Sequence, residues 1–397
     1  MHGVALLGLG NMGSPIYLDN HATTQVDHRV FEVMRPFLIG PTEYGNPSST
    51  GHSYGWFAKE SVEVSREQIA DLIGAEPKEV VFTSGATESN NLAILGAARA
   101  AGKGRIVTIE TEHSSVIAAA KALRLEGFHV DILPVEPTGL VDLDRLRSVV
   151  NDETVLVSVM AANNEIGTLQ PLGEISSICH KVGAMFHTDA AQITGKVDFD
   201  VGELGVDIAS ITAHKMHGPK GVGAMYVRKG RPRVRLAPVI HGGAQERGFR
   251  PGTLAPHQIA GLGESARLAK DGLLVGEPKK MASLRDRLLE IVSCAEGVTV
   301  NGTMEHRLPN NLNINVSDVD GKALVLALRG VAFSSGSACS SASLKPSKVL
   351  TAIGADLSTE TASLRFGVGR YTTAEEIESA GQLFVEQVAR VRELMRG

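Results

Sequence analysis

The chain has 397 residues, of which 43% are hydrophobic and 21% charged, and its formal net charge is -5. This composition is that of an ordinary globular protein, and the charge argues against nucleic acid or an anionic membrane as a direct partner. No apolar run approaches the roughly 20 residues of a membrane-spanning helix. The three cysteines are too few for a disulfide framework and lack metal-ligand spacing. We therefore predict a cytoplasmic protein with reduced thiols and no resident metal.

The N-terminus contains a GxGxxG pattern at residues 8–13, after the apolar residues 4–7. A dinucleotide-binding turn of this kind should open a helix. Here Ser14 and Pro15 lead instead into another extended stretch at residues 16–18. We therefore predict a strand-like or flexible N-terminal extension rather than a nicotinamide site.

Short apolar strands and helical segments alternate between residues 65 and 230. Strands are predicted at residues 80–83, 105–109, 129–133, 155–160, 184–189 and 207–211. Two intervening segments, 88–101 and 115–125, have helical composition and are ended by Gly102 and Gly127. This alternation predicts an α/β fold with a mostly parallel sheet covered by helices, in which ligands bind at the carboxyl ends of the strands.

The pattern changes from residue 264 onward. Long charged amphipathic segments at 264–274, 279–292 and 375–395 surround a few short strands, which indicates a smaller α+β domain. We predict a large domain of residues 28–263 and a small domain formed by residues 1–27 and 264–397. The small domain would carry a loop around Cys339, at about 334–350.

Two segments at predicted strand ends have residue types suited to chemistry. The turn at 84–91 opens a helix, where free backbone N–H groups favour a phosphate, although a plain N-cap at Thr87 explains it equally well. Lys215 ends an apolar strand, directly after His214 and shortly before a Gly-Pro turn. An amine in apolar surroundings has a lowered proton affinity and can form a Schiff base, whereas the ordinary alternative is an exposed surface lysine.

Further polar residues fall at the same predicted edge of the sheet. Asp189 ends a strand, where a carboxylate can stabilise a protonated ring nitrogen, and Gln192 follows three residues later. Asn164 and His113 follow two other strands and offer an amide and a stacking imidazole. Each has an ordinary alternative as a cap, turn or loop residue, so the joint placement is what favours a functional site.

Ordered motifs continue this pattern over nearly the whole chain. They are YLDNHATT at 17–24, GNPSS at 45–49, HGGAQERG at 241–248, SSGSAC at 334–339 and RFGVGR at 365–370. With these motifs the chain resembles the cysteine desulfurases of the IscS/NifS type, in the class V aminotransferase group of fold-type I pyridoxal-phosphate (PLP) enzymes. The resemblance implies PLP as the cofactor, a large domain with a mostly parallel sheet plus a smaller α+β domain, and a homodimer.

The resemblance also implies roles for residues around the cofactor ring. Lys215 would hold the cofactor covalently and act as general base. Asp189 would pair with the pyridine nitrogen, while His113 would stack on the ring and take part in catalysis. Gln192 and Asn164 would contact the ring hydroxyl.

A second group would hold the phosphate and the substrate. By the same resemblance the phosphate ligands would be Ala86, Thr87, Thr212 and His214. Thr253 would reach the phosphate of the partner subunit, although Pro251 departs from the usual small polar residue near it. Arg365 would bind the substrate carboxylate, with Asn164 beside it.

Cys339 indicates which of the amino-acid reactions possible with this cofactor the chain would catalyse. It lies in a run of small residues, 334–343, which cannot pack a core and is typical of a mobile loop. In the hypothesis, its thiolate attacks the sulfur of L-cysteine, alanine leaves, and a persulfide remains on Cys339. The expected acceptors are sulfur-accepting proteins such as an iron–sulfur scaffold, with tRNA thiolation also compatible, and Cys339 could ligate a cluster transiently.

The remaining cysteines are predicted to be structural. Cys179 lies at helical spacing with Ile175 and Val182, and Cys294 ends a helical stretch containing Ile291, so both are expected to be buried and apolar in role.

Other functions stay open at this point. A class V aminotransferase or a selenocysteine lyase could use the same scaffold, but an aminotransferase would not need Cys339. A non-catalytic scaffold would not need Lys215, Asp189 and Cys339 together.

Overall fold

The computed structural model describes residues 15–335 and 346–396. Its strands are β1 (Ile16–Tyr17), β2 (Val80–Thr83), β3 (Arg105–Ile109), β4 (His129–Leu133), β5 (Thr154–Ser158), β6 (Met185–Asp189), β7 (Ile208–Thr212), β8 (Gly223–Val227), β9 (Val298–Val300), β10 (Asn311–Ser317), β11 (Val331–Ala332), β12 (Ser334–Ser335) and β13 (Thr361–Gly367).

Twelve α-helices lie among the other described residues. They are α1 (His28–Met34), α2 (Pro36–Ile39), α3 (Ser53–Ile73), α4 (Ala86–Ala101), α5 (Ser114–Leu125), α6 (Leu143–Val149), α7 (Leu172–Lys181), α8 (Pro256–Leu274), α9 (Glu277–Val292), α10 (Gly321–Ala327), α11 (Lys348–Ala352) and α12 (Ala374–Arg396). Three short 3₁₀ turns lie at Pro77–Glu79, Ala213–Lys215 and Gln245–Gly248.

A seven-stranded sheet in the order β2-β8-β7-β6-β5-β3-β4 forms the centre of the larger layer. All its strands run parallel except β8, which pairs antiparallel with both β2 and β7. Successive residues of β3 pack on opposite faces of the sheet: Ile106 belongs to one hydrophobic cluster and Val107 to another. Because both faces are covered, the strands other than the edge strand β4 are almost entirely buried, and the predicted α/β fold with a mostly parallel sheet is confirmed.

A second sheet lies beside a separate core. Its four antiparallel strands have the order β12-β13-β10-β9, and α9 and α12 pack against each other beside it. The core of this region contains Leu288, Leu312, Leu364 and Phe384, together with Leu18 from the start of the chain. The N-terminal segment is therefore held against residues more than 260 positions later in the chain.

Most predicted elements agree with the structure to within two residues. The helix predicted from residue 88 begins at Ala86, and α8 begins at Pro256, before the predicted start at 264. Gly102 ends α4 in a left-handed conformation with φ 78°, donating its N–H to the Ala98 carbonyl, as a glycine C-cap should. The GxGxxG segment at 8–13 lies outside the described residues. Within the described ranges no helix has both the length and the apolar character to cross a membrane.

Candidate active site

A cavity of about 650 Å³ opens where β2, β3, β5, β6 and β7 end, at the carboxyl edge of the large sheet. Ten of the predicted site residues line it: Ala86, Thr87, His113, Asn164, Asp189, Gln192, Thr212, His214, Lys215 and Arg365. Parallel strands bring their carboxyl ends to one edge, so nine of these residues, from Ala86 to Lys215, reach a single site although they are up to 129 positions apart in the chain.

The start of α4 provides one wall of the cavity. Gly85 is its N-cap residue, with φ 146° and no side chain to bond the free N–H groups of the first turn. A Cβ on Gly85 would lie 3.7 Å from the Thr212 hydroxyl oxygen, so this backbone passes close to the end of β7. Ala86 and Thr87 begin the helix, where the positive end of the dipole favours an anion.

Asp189 is buried at the end of β6 and is held by two donors. Its Oδ1 accepts the Ala191 N–H at 3.0 Å, and its Oδ2 accepts the Asn90 side-chain amide at 2.7 Å. The same amide nitrogen donates to the Ser115 hydroxyl at 2.9 Å. Asp189 is therefore fixed in orientation and connected to the start of α5.

The connection continues to His113, the N-cap residue of α5. Its Nδ1 accepts the Ser115 N–H at 3.2 Å and lies 2.8 Å from the Ser115 hydroxyl. Because Nδ1 accepts the Ser115 N–H, it carries no proton, so the Ser115 hydroxyl donates to it and the ring holds its proton on Nε2. One chain of hydrogen bonds thus orients both Asp189 and His113.

Lys215 ends the 3₁₀ turn after β7 and points its amine into the cavity. Its Nζ donates to the carbonyl of His21 and, at 2.9 Å, to that of Ala22. Burial, followed by the charge of Arg365, lowers the pKa of Lys215 from 10.5 to about 8, against the opposing pull of Asp19 and Asp189. Lys215 is thus an amine that can lose its proton near neutral pH.

Gln192 and His214 make contacts that their sequence positions did not predict. Both ends of the Gln192 amide contact His21: Nε2 donates to the His21 carbonyl at 3.0 Å, and Oε1 lies 3.0 Å from its Nδ1. The Nδ1 of His214 lies 3.2 Å from the Thr23 hydroxyl. Burial, then the charge of Lys215, lowers the pKa of His214 to about 4, so this ring is neutral in the cavity.

Arg365 reaches the cavity from β13 of the smaller sheet. Its guanidinium donates to Asp19 Oδ1 at 2.8 Å, to the Ser334 hydroxyl at 2.7 Å and to the Asn164 carbonyl at 2.9 Å. The Arg365 side chain is only 11% exposed, and its Nε is buried without a partner among the described residues. This cation is therefore the contribution of the second sheet to the site.

Two predicted site residues are not among those that line the cavity. Thr253 is exposed and lies outside it. Cys339 lies outside the described residues. The prediction for Cys294 is wrong: it follows the end of α9 at a solvent-exposed position, whereas Cys179 is buried as predicted. In the part of the chain that the structure describes, no three His, Cys, Asp or Glu side chains are arranged to hold a metal ion.

The sequence reasoning missed several residues that support the site. Asn90 lies in the segment 84–91, but nothing in the sequence distinguished it from Asn91, whose amide donates to the exposed Thr87 carbonyl at 2.8 Å. Glu112 is buried beside His113 and accepts the Met160 N–H at 2.5 Å. Burial, opposed by that hydrogen bond, raises the pKa of Glu112 well above its usual range. Only the packing identifies these residues.

Comparisons with known proteins agree with this geometry. Residues 16–379 match the family model described as aminotransferase class-V. Cysteine desulfurase IscS of Dechloromonas aromatica is 50% identical over 386 residues, covering 96% of this chain and 94% of that protein. Cysteine desulfurase IscS of Methylococcus capsulatus is 49% identical over 385 residues, covering 96% and 94%.

A solved structure of a NifS-like protein has a TM-score of 0.87 at 37% sequence identity and covers 95% of this chain and 100% of that one. The family model spans most of the chain, and the similarity to the curated relatives is nearly full-length on both sides. The chain therefore belongs to the class V aminotransferase family and, within it, to the IscS-type cysteine desulfurases.

Proposed function

We propose that this protein removes sulfur from L-cysteine, releases L-alanine and holds the sulfur as a persulfide on Cys339. Enzymes of this family depend on PLP. The observation that carries the proposal is the convergence of Lys215, Asp189 and the uncapped start of α4 on one cavity at the edge of the sheet.

The described residues fit PLP in each of its functional groups. The open N-terminus of α4 suits a phosphate, because its first N–H groups have no side-chain cap. Asp189 is a buried carboxylate suited to a protonated pyridine nitrogen, and Lys215 is an amine of lowered pKa suited to an aldehyde. A cavity of about 650 Å³ is large enough for a cofactor and an amino acid.

In this proposal the ring is held by Asp189, His113, Gln192 and Asn164. The phosphate ligands are Ala86, Thr87, Thr212 and His214, with Thr253 from the partner subunit. Gln192 exchanges one of its His21 contacts for the ring hydroxyl. The buried Asn90 amide supports this set, because it keeps Asp189 aimed into the cavity.

The cofactor, when bound, supplies an electron sink for bonds broken at the amino-acid carbons. Lys215 takes and returns the proton at the substrate Cα, which its pKa of about 8 allows near neutral pH. Arg365 binds the substrate carboxylate, for which it releases Asp19 or the Ser334 hydroxyl. The planar guanidinium suits a carboxylate because it donates two parallel hydrogen bonds.

The sulfur step balances without an external oxidant. As the Cys339 thiolate attacks the substrate sulfur, the S–S bond forms and the Cβ–S bond of the substrate breaks. The carbon takes up a proton to complete alanine, and the sulfur remains on Cys339. A sulfur-acceptor protein, such as an iron–sulfur scaffold, then receives it. The cytoplasmic location stays a prediction.

A homodimer is supported by the surface of the first three helices. Phe31, Leu38, Ile39, Trp56 and Phe57 are between 46% and 77% exposed. Helices α1, α2 and α3 all contact α8, so these side chains belong to one region of the molecule. Large exposed apolar side chains grouped in this way are typical of a subunit interface.

The separate hydrophobic cores of the two sheets support the proposed domains. Residues 28–263 contain the whole seven-stranded sheet, while residues 1–27 and 264–397 contain the four-stranded sheet and its core. The boundary at 263/264 falls within α8, so this helix would belong to both domains.

The test is to incubate the purified protein with L-cysteine and a reductant and to measure sulfide and alanine together. Equal amounts of both are expected from the wild type, and neither from Cys339→Ala, although the visible absorbance of its bound cofactor persists. Cys294→Ala is the control because Cys294 is an exposed cysteine that does not line the cavity, and it should retain activity. Alanine formation that survives Cys339→Ala would mean that Cys339 is not the sulfur acceptor. Absence of alanine from the wild type would instead favour an aminotransferase, which would convert L-cysteine to a 2-oxo acid.

A further inference from the structure

Lys196 is a second lysine behind the site, and its amine is buried. The residue is 6% exposed, and its Nζ donates to the Gln192 carbonyl at 2.9 Å. Within the described ranges, no carboxylate oxygen lies within ion-pair distance of this amine. A buried ammonium without a carboxylate partner is costly, whereas a neutral amine is not.

The surroundings of Lys196 contain more positive than negative groups. It lines a small cavity of about 20 Å³ together with Lys215, His217, Glu277 and Arg370. Glu277, the acidic residue of this set, accepts from Arg370 Nε at 2.8 Å. Arg370 also donates to Asp27 at 2.9 Å, so both carboxylates are already paired.

Hydrogen bonds connect Lys196 to the cavity amine. Lys196 donates to the Gln192 carbonyl, the Gln192 side chain donates to the His21 carbonyl, and Lys215 donates to that same carbonyl. His21 is fully buried, and burial followed by the charges of Arg365 and Lys196 lowers its pKa well below the usual value. With His21 neutral, charge near Lys215 on this side depends on Lys196.

We infer that Lys196 is a positioning residue whose amine is uncharged above neutral pH, where it holds the Gln192 turn without placing a second positive charge beside Lys215. The inference rests on the proposed role of Lys215. Burial, followed by the charge of Lys215, lowers the pKa of Lys196 to about 7. In this arrangement burial, Arg365, Asp19 and Asp189 set the proton affinity of Lys215, and Lys196 adds no repulsion above neutral pH.

The test compares Lys196→Gln with Lys196→Arg in the holoenzyme. The readout is the pH midpoint at which the visible absorbance of the bound cofactor changes. Gln is uncharged and can donate to the Gln192 carbonyl, so its midpoint should match the wild type. Arg is always charged, so its midpoint should fall by about one pH unit, which is tenfold in proton affinity.

The opposite pattern would overturn the inference. If the pH midpoint of Lys196→Arg matched the wild type and that of Lys196→Gln rose by about one pH unit, Lys196 would be charged. If the Arg variant does not fold, the Gln midpoint alone decides between these outcomes. A second readout is thermal unfolding of the cofactor-free protein between pH 7 and 9.

The sign of that second readout follows from the pKa. A lysine with a pKa of about 7 when folded and 10.5 when unfolded makes stability rise with pH across this window, because the unfolded chain binds more protons. Lys196→Gln should make that rise smaller, because only the contribution of Lys215, with its pKa of about 8, then remains. An unchanged slope would contradict the inference. Failure of the proposed function can be told apart from failure of this inference. If Lys215 does not hold the cofactor, Lys215→Ala keeps the cofactor absorbance of the wild type.

Discussion

The two sides of the cavity are built differently. On the large-sheet side, Asp189 and His113 are joined by a chain of hydrogen bonds through Asn90 and Ser115, all within buried or helix-capping positions. On the small-sheet side, Arg365 is paired with Asp19 and with Ser334, the first residue of β12. In the proposed function, the first side holds the cofactor, which stays bound, whereas the second side makes contacts that the carboxylate of an incoming substrate would replace.

The largest effect on activity is expected when the Lys215 amine is removed from the large-sheet side. Lys215→Ala should lower the rate of alanine formation by about a thousandfold or more, since both attachment of the cofactor and proton transfer depend on this nitrogen. Stopped-flow and steady-state assays with L-cysteine measure it. Lys220→Ala, an exposed lysine at the same cavity, is the control and should change the rate little.

A smaller effect on activity is expected from substitution of Arg365 on the small-sheet side. Arg365→Lys should raise KM for L-cysteine by about 10- to 100-fold, because an ammonium cannot reproduce the two parallel hydrogen bonds of a guanidinium. The kcat value should change less than KM. Arg287→Lys, in a surface pair with Glu378, provides the control. An equal loss in both parameters would mean that Arg365 acts on the chemical step instead.

The pH dependence of cofactor uptake examines the large-sheet side without mutation. Only the neutral amine attacks an aldehyde, and with a pKa of about 8 the neutral fraction of Lys215 rises about tenfold between pH 7 and 9 and then levels off. The rate of PLP uptake by the cofactor-free protein should follow that curve. A rise of about a hundredfold over the same range, without a plateau, would show an ordinary lysine.

The smallest effect concerns the hydrogen-bond chain itself. Ser115→Ala should lower kcat by about fivefold, since it removes one hydrogen bond that orients His113, typically worth about 1 kcal/mol. Ser114→Ala is the matched control, because Ser114 is exposed. If both substitutions leave kcat unchanged, His113 does not depend on this chain for its orientation.

The sequence predicted much of the site because the ends of buried strands can be recognised from their apolar residue pattern. Lys215, Asp189 and His113 each follow an apolar strand, and the topology of a parallel sheet brings such positions together whatever their distance along the chain. The burial of Cys179 was predicted for a similar reason, since helical spacing defines its face. Cys294 failed that reasoning because it lies just beyond α9, where the periodic pattern no longer applies.

The sequence alone thus determined the fold class, the edge of the sheet that carries the site, and the residue types available there. Only the tertiary structure decided which partners those residues have: Asn90 on Asp189, Asp19 on Arg365, and no carboxylate on Lys196 within the described ranges. The reason is physical. Strand and helix patterns depend on neighbours a few residues away, whereas burial and charge pairing depend on groups brought together from up to 346 positions apart.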